Sequence, residues 1–375
     1  MFNKARLLIL LSVSMVLCQA IGTKAEPGIS AQSAVVIETS GNRIIYQKNP
    51  HKKLPMASTT KIMTAICAIE AGNIDRTVVV DDRAVGVEGS SVYLAKGERL
   101  TVRDLLYGLM LHSGNDAAVA IACSVSGSVE DFAKLMNDTA VRIGAVNTHF
   151  DNPNGLDSDN HYTTAYDLAL ITSYGLKNAD FAEIVSTYTA TIPNGDKPYP
   201  RKLKNHNRLL KTYEGCIGVK TGYTRRCGRC LVSAAERDNK RLVAVTLNDG
   251  NDWADHSAML DYGFDNTVCR RVVRKGEYIQ RVVIDGGYVN GIADDDLYVT
   301  LPSGATGDVA IRTDIYTSLS VPVSYGTVVG KMGVSVDGVD YGSIAMVADR
   351  SVAPEEKHKF LRNLILLMGL TLQIY

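Results

Sequence analysis

Leu54-Pro55-Met56-Ala57-Ser58-Thr59-Thr60-Lys61-Ile62-Met63-Thr64-Ala65 is the stretch around which the chain is organised. Pro55 and Ser58 are residue types that start helices, and Ile62 to Ile69 is almost wholly apolar. The pattern predicts a helix sunk in a core and stopped at Gly72. A helix buried on every side has no ordinary use for a lysine. Lys61 stands three residues after Ser58, which puts ammonium and hydroxyl on one face, a turn apart. Serine is a weak nucleophile until a base takes its proton, and a lysine stripped of water gives up its own proton readily enough to be that base. Ser-x-x-Lys is thus a nucleophile and a base in outline. The same spacing recurs by chance, so its weight must come from partners elsewhere.

Ahead of this helix, Ser33–Glu38 and Arg43–Tyr46 flank Thr39-Ser40-Gly41-Asn42 and read as a hairpin. Behind it, Thr77–Val80 and Ser91–Leu94 are expected as short strands around a loop. Thr101-x-x-Asp104 is a capping box for a second buried helix, Leu105–Leu111. That helix breaks at His112-Ser113-Gly114-Asn115, and another apolar run starts at Asp116. A polar break between two apolar helices is either a plain turn or a set of side chains aimed into a cleft. Amphipathic helices are expected at 130–143 and 165–176, either side of a polar loop with Asn152-Pro153-Asn154-Gly155-Leu156. Gly215–Thr224, Leu231–Ala235 and Arg241–Leu247 then read as strands, with Lys220-Thr221-Gly222 on an edge strand. Two strands at the start and three at the end imply one antiparallel sheet closed by both ends of the domain, with helices between: an α+β fold. From about Asn266 short alternating strands punctuated by glycine predict a small all-β domain to about Val352.

Composition sets the frame. The 375 residues are 46% hydrophobic, enough for a large core, and 40 Lys+Arg balance 40 Asp+Glu, which offers no basic field for nucleic acid and no acidic excess for disorder. Lys4 and Arg6, the apolar run Leu7–Leu17 and the small residues near Ala25 have the order of an export signal, with cleavage expected near Ala25. The cysteines are too sparse for a disulfide scaffold. Cys227-Gly228-Arg229-Cys230 has redox-motif spacing but lacks the strand-to-helix setting of such motifs, and reads as a turn between strands. No metal or cofactor is expected.

Three short motifs then fall in one order: Ser58-x-x-Lys61, Ser113-Gly114-Asn115 and Lys220-Thr221-Gly222. With their surroundings (Pro55 to Thr64, Leu111 to Ala117, Val219 to Thr224) they resemble the low-molecular-mass penicillin-binding proteins of the D-alanyl-D-alanine carboxypeptidase type, serine peptidase family S11. The resemblance spans roughly residues 28 to 350, small β domain included. It implies domains at 26–265 and 266–352, with Ser58 as acylated nucleophile, Lys61 as its proton acceptor and Ser113 as proton relay. It further implies that Asn115 holds the substrate amide, Lys220 and Thr221 meet its terminal carboxylate, Gly222 lets the substrate lie close, and the N–H groups of Ser58 and Tyr223 form an oxyanion hole. The implied partners are a peptidoglycan stem peptide ending in D-Ala-D-Ala and, as covalent inhibitors, β-lactams. Relatives place an arginine near the carboxylate; here His206 and Arg208 are the two candidates for that place.

Ser158-Asp159-Asn160 spells the β-lactamase form of the middle motif, but it sits in a polar loop without the break between helices and is set aside. Two other functions remain open to the same motifs. A β-lactamase needs a base for fast deacylation, and no Glu-x-x-Leu-Asn-like segment lies between Asn115 and Lys220. A catalytically silent envelope binding protein would have no need of every motif residue. At the C-terminus, 353–375 reads as a membrane-associating segment whose apolar part, 360–375, forms an amphipathic helix of roughly 24 Å, too short to span a bilayer and suited to lying on a membrane surface.

Overall fold

The computed structural model describes residues 25–284, 287–304, 309–316 and 319–353. The segments expected to be an export signal and a C-terminal membrane helix lie outside them, save for Ala25 and Ala353 at their borders.

The frame of the first domain is a five-stranded antiparallel sheet in the spatial order Ile44–Lys48, Ser33–Glu38, Lys240–Leu247, Gly228–Arg237, Cys216–Thr224. The N-terminal hairpin therefore pairs directly with the last strand of the domain, Val36 standing opposite Ala244, as the sequence predicts. Ser33–Glu38 is buried along its whole length because both faces are covered. Alternation along the strand sends Val35 and Ile37 into the large cluster under the helices, and Ala34 and Val36 into a second cluster with Met259, Leu260 and Phe264. Those last residues belong to the helix Asp252–Asp265, an element that the sequence reading did not assign. Its apolar positions are spaced among aspartates, and the sheet face it covers is what makes it a core helix.

The helix Lys61–Glu70 runs through the large cluster, with Lys61 to Ile69 all buried. It packs against Val102–Leu111, Asn115–Ser126, Val129–Ile143 and Ala165–Gly175. The expected capping box is present: Thr101 Oγ1 accepts from the Asp104 N–H, and the Asp104 carboxylate from the Thr101 N–H. One expectation fails. Ser91–Leu94 is not a strand; Thr77–Val79 pairs instead with Arg99–Thr101. The N–H groups of Val92 and Leu94 donate to the buried Asp116 carboxylate, at 3.1 and 3.0 Å, so a side chain satisfies donors that a ladder would otherwise need. A helix at Ala179–Ser186 and a hairpin of Thr189–Ile192 with Arg201–Lys204 complete this domain.

The second domain is all β. Thr267–Val273 pairs with Leu297–Pro302, and a five-stranded sheet has the order 278–284, 287–293, 339–348, 328–336, 309–315. It meets the first domain at the N-terminal hairpin. The Arg43 guanidinium donates to the Val336 carbonyl at 3.0 Å and pairs with Asp337 at 3.2 Å. The Tyr341 ring lies so close over Gly41 that a Cβ there would meet it at 2.8 Å. The helices, the sheet edge and the cleft between them all belong to the first domain.

Candidate active site

One 3-10 turn, Ala57–Thr60, precedes the core helix and carries Ser58. Ala57 has φ 47°, a left-handed value that costs a residue with a Cβ roughly 1–3 kcal/mol and persists only where the surroundings impose it. Here they do. Thr59 Oγ1 donates to the Met56 carbonyl at 2.6 Å and Thr60 Oγ1 to the Ala57 carbonyl at 2.8 Å. Gly155 lies over the Ala57 carbonyl so closely that a Cβ would sit 2.0 Å from the oxygen. His161 braces the turn from behind. Its Nδ1 accepts from the Asp151 N–H at 3.0 Å, which leaves Nε2–H to donate to Thr60 Oγ1 at 2.7 Å. Burial pushes His161 down to about 4, so the ring is neutral at neutral pH.

Lys61 is wholly buried, and its Nζ has three neighbours: Ser58 Oγ at 2.9 Å, Asn115 Oδ1 at 2.6 Å and the Asn154 carbonyl at 2.6 Å. No carboxylate is among them. Burial, reinforced by the charge of Lys220 and opposed by that of Asp116, holds its pKa well below the usual lysine range. The neutral amine has two hydrogens and one lone pair. Asn115 Oδ1 and the Asn154 carbonyl can only accept, so they take both hydrogens, and the lone pair is left for the Ser58 hydroxyl. The orientation of the Asn115 amide is fixed from its other end, where Nδ2 donates to the Glu88 carbonyl at 2.5 Å.

Ser113 occupies the break between Val102–Leu111 and Asn115–Ser126. Its φ of 62° is again left-handed, and its side chain lines the cleft beside Ser58. Two residues on, the Asn115 amide is engaged at both ends, with Lys61 and with Glu88. Asp116 anchors the loop that supplies the Glu88 carbonyl. Its carboxylate accepts from Ser91 Oγ at 2.6 Å as well as from Val92 and Leu94, while the Asn115 N–H donates to the Ser90 carbonyl at 2.7 Å.

The opposite wall is the sheet edge. Lys220 is buried, donates to the Thr221 carbonyl at 2.9 Å, and is pushed by burial to about 7. Gly222 is where the strand touches the nucleophile turn: a Cβ there would lie 3.0 Å from the Met56 oxygen and 3.2 Å from the Ser58 nitrogen. Thr221, Gly222 and the exposed Tyr223 line the cleft, which holds about 350 Å³, within the range of small-molecule sites. His206 and Trp253 form its far side, with the Arg229–Asp252 ion pair at 2.6 Å. Of the two candidates for carboxylate support, His206 faces the cleft. Arg208 instead stacks on the Trp253 ring at 5.5 Å.

A serine hydroxyl addressed by a neutral lysine, a second serine lining the same cleft and a buried lysine on a sheet edge is a layout for acyl transfer. Residues 21–251 match the sequence profile of Peptidase_S11, described as D-alanyl-D-alanine carboxypeptidase. The chain belongs to the D-alanyl-D-alanine carboxypeptidase family. Residues 270–354 match a second profile, penicillin-binding protein 5, C-terminal domain. The D-alanyl-D-alanine carboxypeptidase DacF of Bacillus subtilis is 33% identical over 342 residues, covering 88% of this chain and 86% of the relative. Penicillin-binding protein 5 of Haemophilus influenzae, as a crystal structure, superposes with a TM-score of 0.65 at 28% identity, covering 88% of this chain and 99% of that one. A variant of a Streptomyces DD-transpeptidase gives a TM-score of 0.60 at 34% identity over 64% of this chain and 99% of the other. This carboxypeptidase is therefore a serine-type hydrolase with a mixed α and β penicillin-binding domain followed by an all-β domain.

The three motifs, distant in sequence, meet at this one cleft. Ser158-Asp159-Asn160 does not join them: Ser158 Oγ bonds the Asp151 carboxylate, Asp159 pairs with Arg226 at 2.9 Å, and the Asn160 carbonyl contacts His149 Nδ1 at 2.8 Å. Sequence reasoning missed the carbonyls of Asn154 and Glu88, the close approach of Gly155, and the bracing by His161. The only available signal was the Asn152–Leu156 loop itself, in which a glycine between polar residues marks a place where backbone can come near.

Proposed function

We propose that this carboxypeptidase removes the terminal D-alanine from peptidoglycan stem peptides through a Ser58 acyl-enzyme, and that β-lactams acylate the same serine. Neutral Lys61 Nζ takes the Ser58 proton as Oγ attacks the carbonyl carbon of the penultimate residue. The N–H groups of Ser58 and Tyr223 receive the oxyanion, Ser113 passes a proton to the departing amine of D-alanine, and Lys220 with Thr221 holds the substrate carboxylate. Water then repeats the attack on the ester, with Lys61 again the base. Asn115 acts in this reading mainly by fixing the Lys61 amine. The observation that carries the proposal is the set of three contacts at Lys61 Nζ, two of them pure acceptors and the third the Ser58 hydroxyl. The sole carboxylate lining the cleft among the described residues, Asp252, is tied to Arg229, which supports the peptidase over a β-lactamase with a dedicated carboxylate base for deacylation.

Wild-type protein incubated with a fluorescent penicillin, and separately with a peptide ending in D-Ala-D-Ala, is expected to take up covalent label and to release D-alanine. Ser58→Ala is expected to do neither while keeping its circular-dichroism spectrum. Label on the Ser58→Ala protein at the wild-type rate would assign the nucleophile elsewhere.

The same reading places the enzyme on the outer face of the cytoplasmic membrane, supported by the export-signal pattern and the amphipathic 353–375 segment. No described helix is long and apolar enough to cross a membrane. Val352 still pairs with Val323, its N–H donating at 2.7 Å. A chain ending at Val352 should therefore keep its β domain and its activity but no longer sediment with membranes. Equal sedimentation of the two chains would refute the surface anchor.

A further inference from the structure

The turn joining the edge strand to its neighbour holds two thiols that the mechanism leaves unused. Cys227 and Cys230 are both free, and only 2% and 1% exposed. They stand three residues apart on one turn, and each shifts the other's titration, Cys230 lowering Cys227 and Cys227 raising Cys230. Cys227 Sγ also accepts from Thr224 Oγ1 at 3.2 Å. Cys230 stands directly opposite Gly222 in the ladder, and its thiol faces the Pro55 carbonyl at 3.9 Å. The pair thus touches both walls of the site: the strand carrying Gly222 and Tyr223, and the segment leading into Ser58. Arg225 and Arg226, the two residues before Cys227 on the same turn, are exposed.

We propose that Cys227 and Cys230 form a reversible intramolecular disulfide, and that this oxidation slows acylation of Ser58. The oxidant is a small peroxide. The Cys227 thiolate attacks one peroxide oxygen, giving a sulfenic acid and hydroxide; Cys230 sulfur then displaces that hydroxyl as water and closes the S–S bond. In sum two thiols lose two electrons and two protons, and hydrogen peroxide leaves as two waters. The two sulfurs are unequal in the way this sequence requires. Hydrogen bonds from Cys230 and Thr224 bring Cys227 down to about 7, whereas Cys230 is held well above the usual thiol range by its bond to Cys227 and by burial. Cys67, bonded to Thr139 at 3.7 Å and pushed up to about 12 by burial, is the inert contrast.

Closing the bond takes Cys227 off the Thr224 hydroxyl and Cys230 off the Pro55 carbonyl, so the turn tightens and the Gly222–Tyr223 backbone shifts against Ser58. A displacement of about 1 Å at a reacting centre costs up to about a hundredfold in rate, and a partial shift here is expected to cost about tenfold. The kinetic half of the proposal rests on Ser58 being the acylated residue; the thiol chemistry does not.

The test uses the full chain, treated with hydrogen peroxide or with dithiothreitol. Free thiols are blocked with N-ethylmaleimide, the digest is read by mass spectrometry, and fluorescent-penicillin acylation is timed in parallel. After peroxide, Cys227 and Cys230 should escape alkylation and acylation should slow about tenfold, with dithiothreitol reversing both. Cys227→Ser should keep the reduced rate and ignore peroxide. Alkylation of both thiols after peroxide, a disulfide that leaves the rate unchanged, or a Cys227→Ser protein slowed as much as wild type would each overturn the proposal. Absence of label in both redox states, with the disulfide formed, would overturn the Ser58 assignment and the kinetic half with it.

Discussion

Asn115 Oδ1 accepts a hydrogen bond from Lys61 Nζ at 2.6 Å, and this contact settles which way the lysine's lone pair points. Replacing the amide by a carboxylate tests the idea without changing shape. In Asn115→Asp an anion would sit beside Lys61 and raise its pKa, by about 1–3 units for an opposite charge at such range. The base would then be protonated at neutral pH, so acylation should fall about ten- to a thousandfold there and recover as pH rises. An unchanged acid limb in the acylation profile would show that Asn115 does not govern Lys61.

Gly222 takes a methyl group only if its neighbours give by a few tenths of an ångström, because its Cβ position is 3.0 Å from the Met56 oxygen and 3.2 Å from both the Ser58 and Thr59 nitrogens. These are backbone atoms of a turn braced by Thr59, Thr60 and His161, which opposes even that shift. Gly222→Ala should therefore push the edge strand off the nucleophile, lowering the acylation rate about ten- to a hundredfold and stability by about 1–3 kcal/mol. Stopped-flow labelling beside a thermal melt reads both. Wild-type kinetics in this variant would mean that the strand and the turn are not in register during reaction.

Lys220, brought to about 7 by burial, is charged below that pH and neutral above it in the free enzyme. For a substrate with a free terminal carboxylate, kcat/KM should fall as pH rises through about 7, and an amidated substrate should show no such limb. Lys220→Ala should remove the limb and lose roughly ten- to a hundredfold on the free acid, the worth of about 1.5–3 kcal/mol for one charged hydrogen bond. Equal losses on both substrates would point instead to a role in tuning Lys61.

His161 couples pH to stability at the nucleophile turn. Its folded pKa of about 4 lies below the ordinary 6.5, so the unfolded chain binds the proton more tightly and stability is lost as pH falls from 6.5 towards 4. The full loss from this group is roughly 3 kcal/mol. Protonation would also set a new N–H at Nδ1 against the Asp151 N–H that donates there. Urea unfolding of wild type and His161→Gln across pH 4–7 should show a flatter curve for the variant; parallel curves would assign the acid loss to other groups.

Much of the fold was legible because it rests on local periodicity. Three residues of helical spacing necessarily bring Lys61 over Ser58, and strand alternation with its glycine turns marked Ser33–Glu38 and Gly215–Thr224 as parts of one sheet. The capping box at Thr101 and Asp104 is likewise a contact between near neighbours. What sequence could not supply are contacts whose partners carry no chemical label. The acceptors that orient Lys61 lie 54 and 93 positions away, and one of them is a backbone carbonyl that any residue type provides. Ser91–Leu94 reads as a strand until Asp116, a distant buried carboxylate, takes its N–H groups. The helix Asp252–Asp265 becomes a core element only when the sheet offers a face for Met259, Leu260 and Phe264. The sequence alone determined that a serine and a lysine would share a buried helical turn. Whether that lysine is a base was decided by the tertiary structure, because charge state follows from burial and from the atoms that surround the amine.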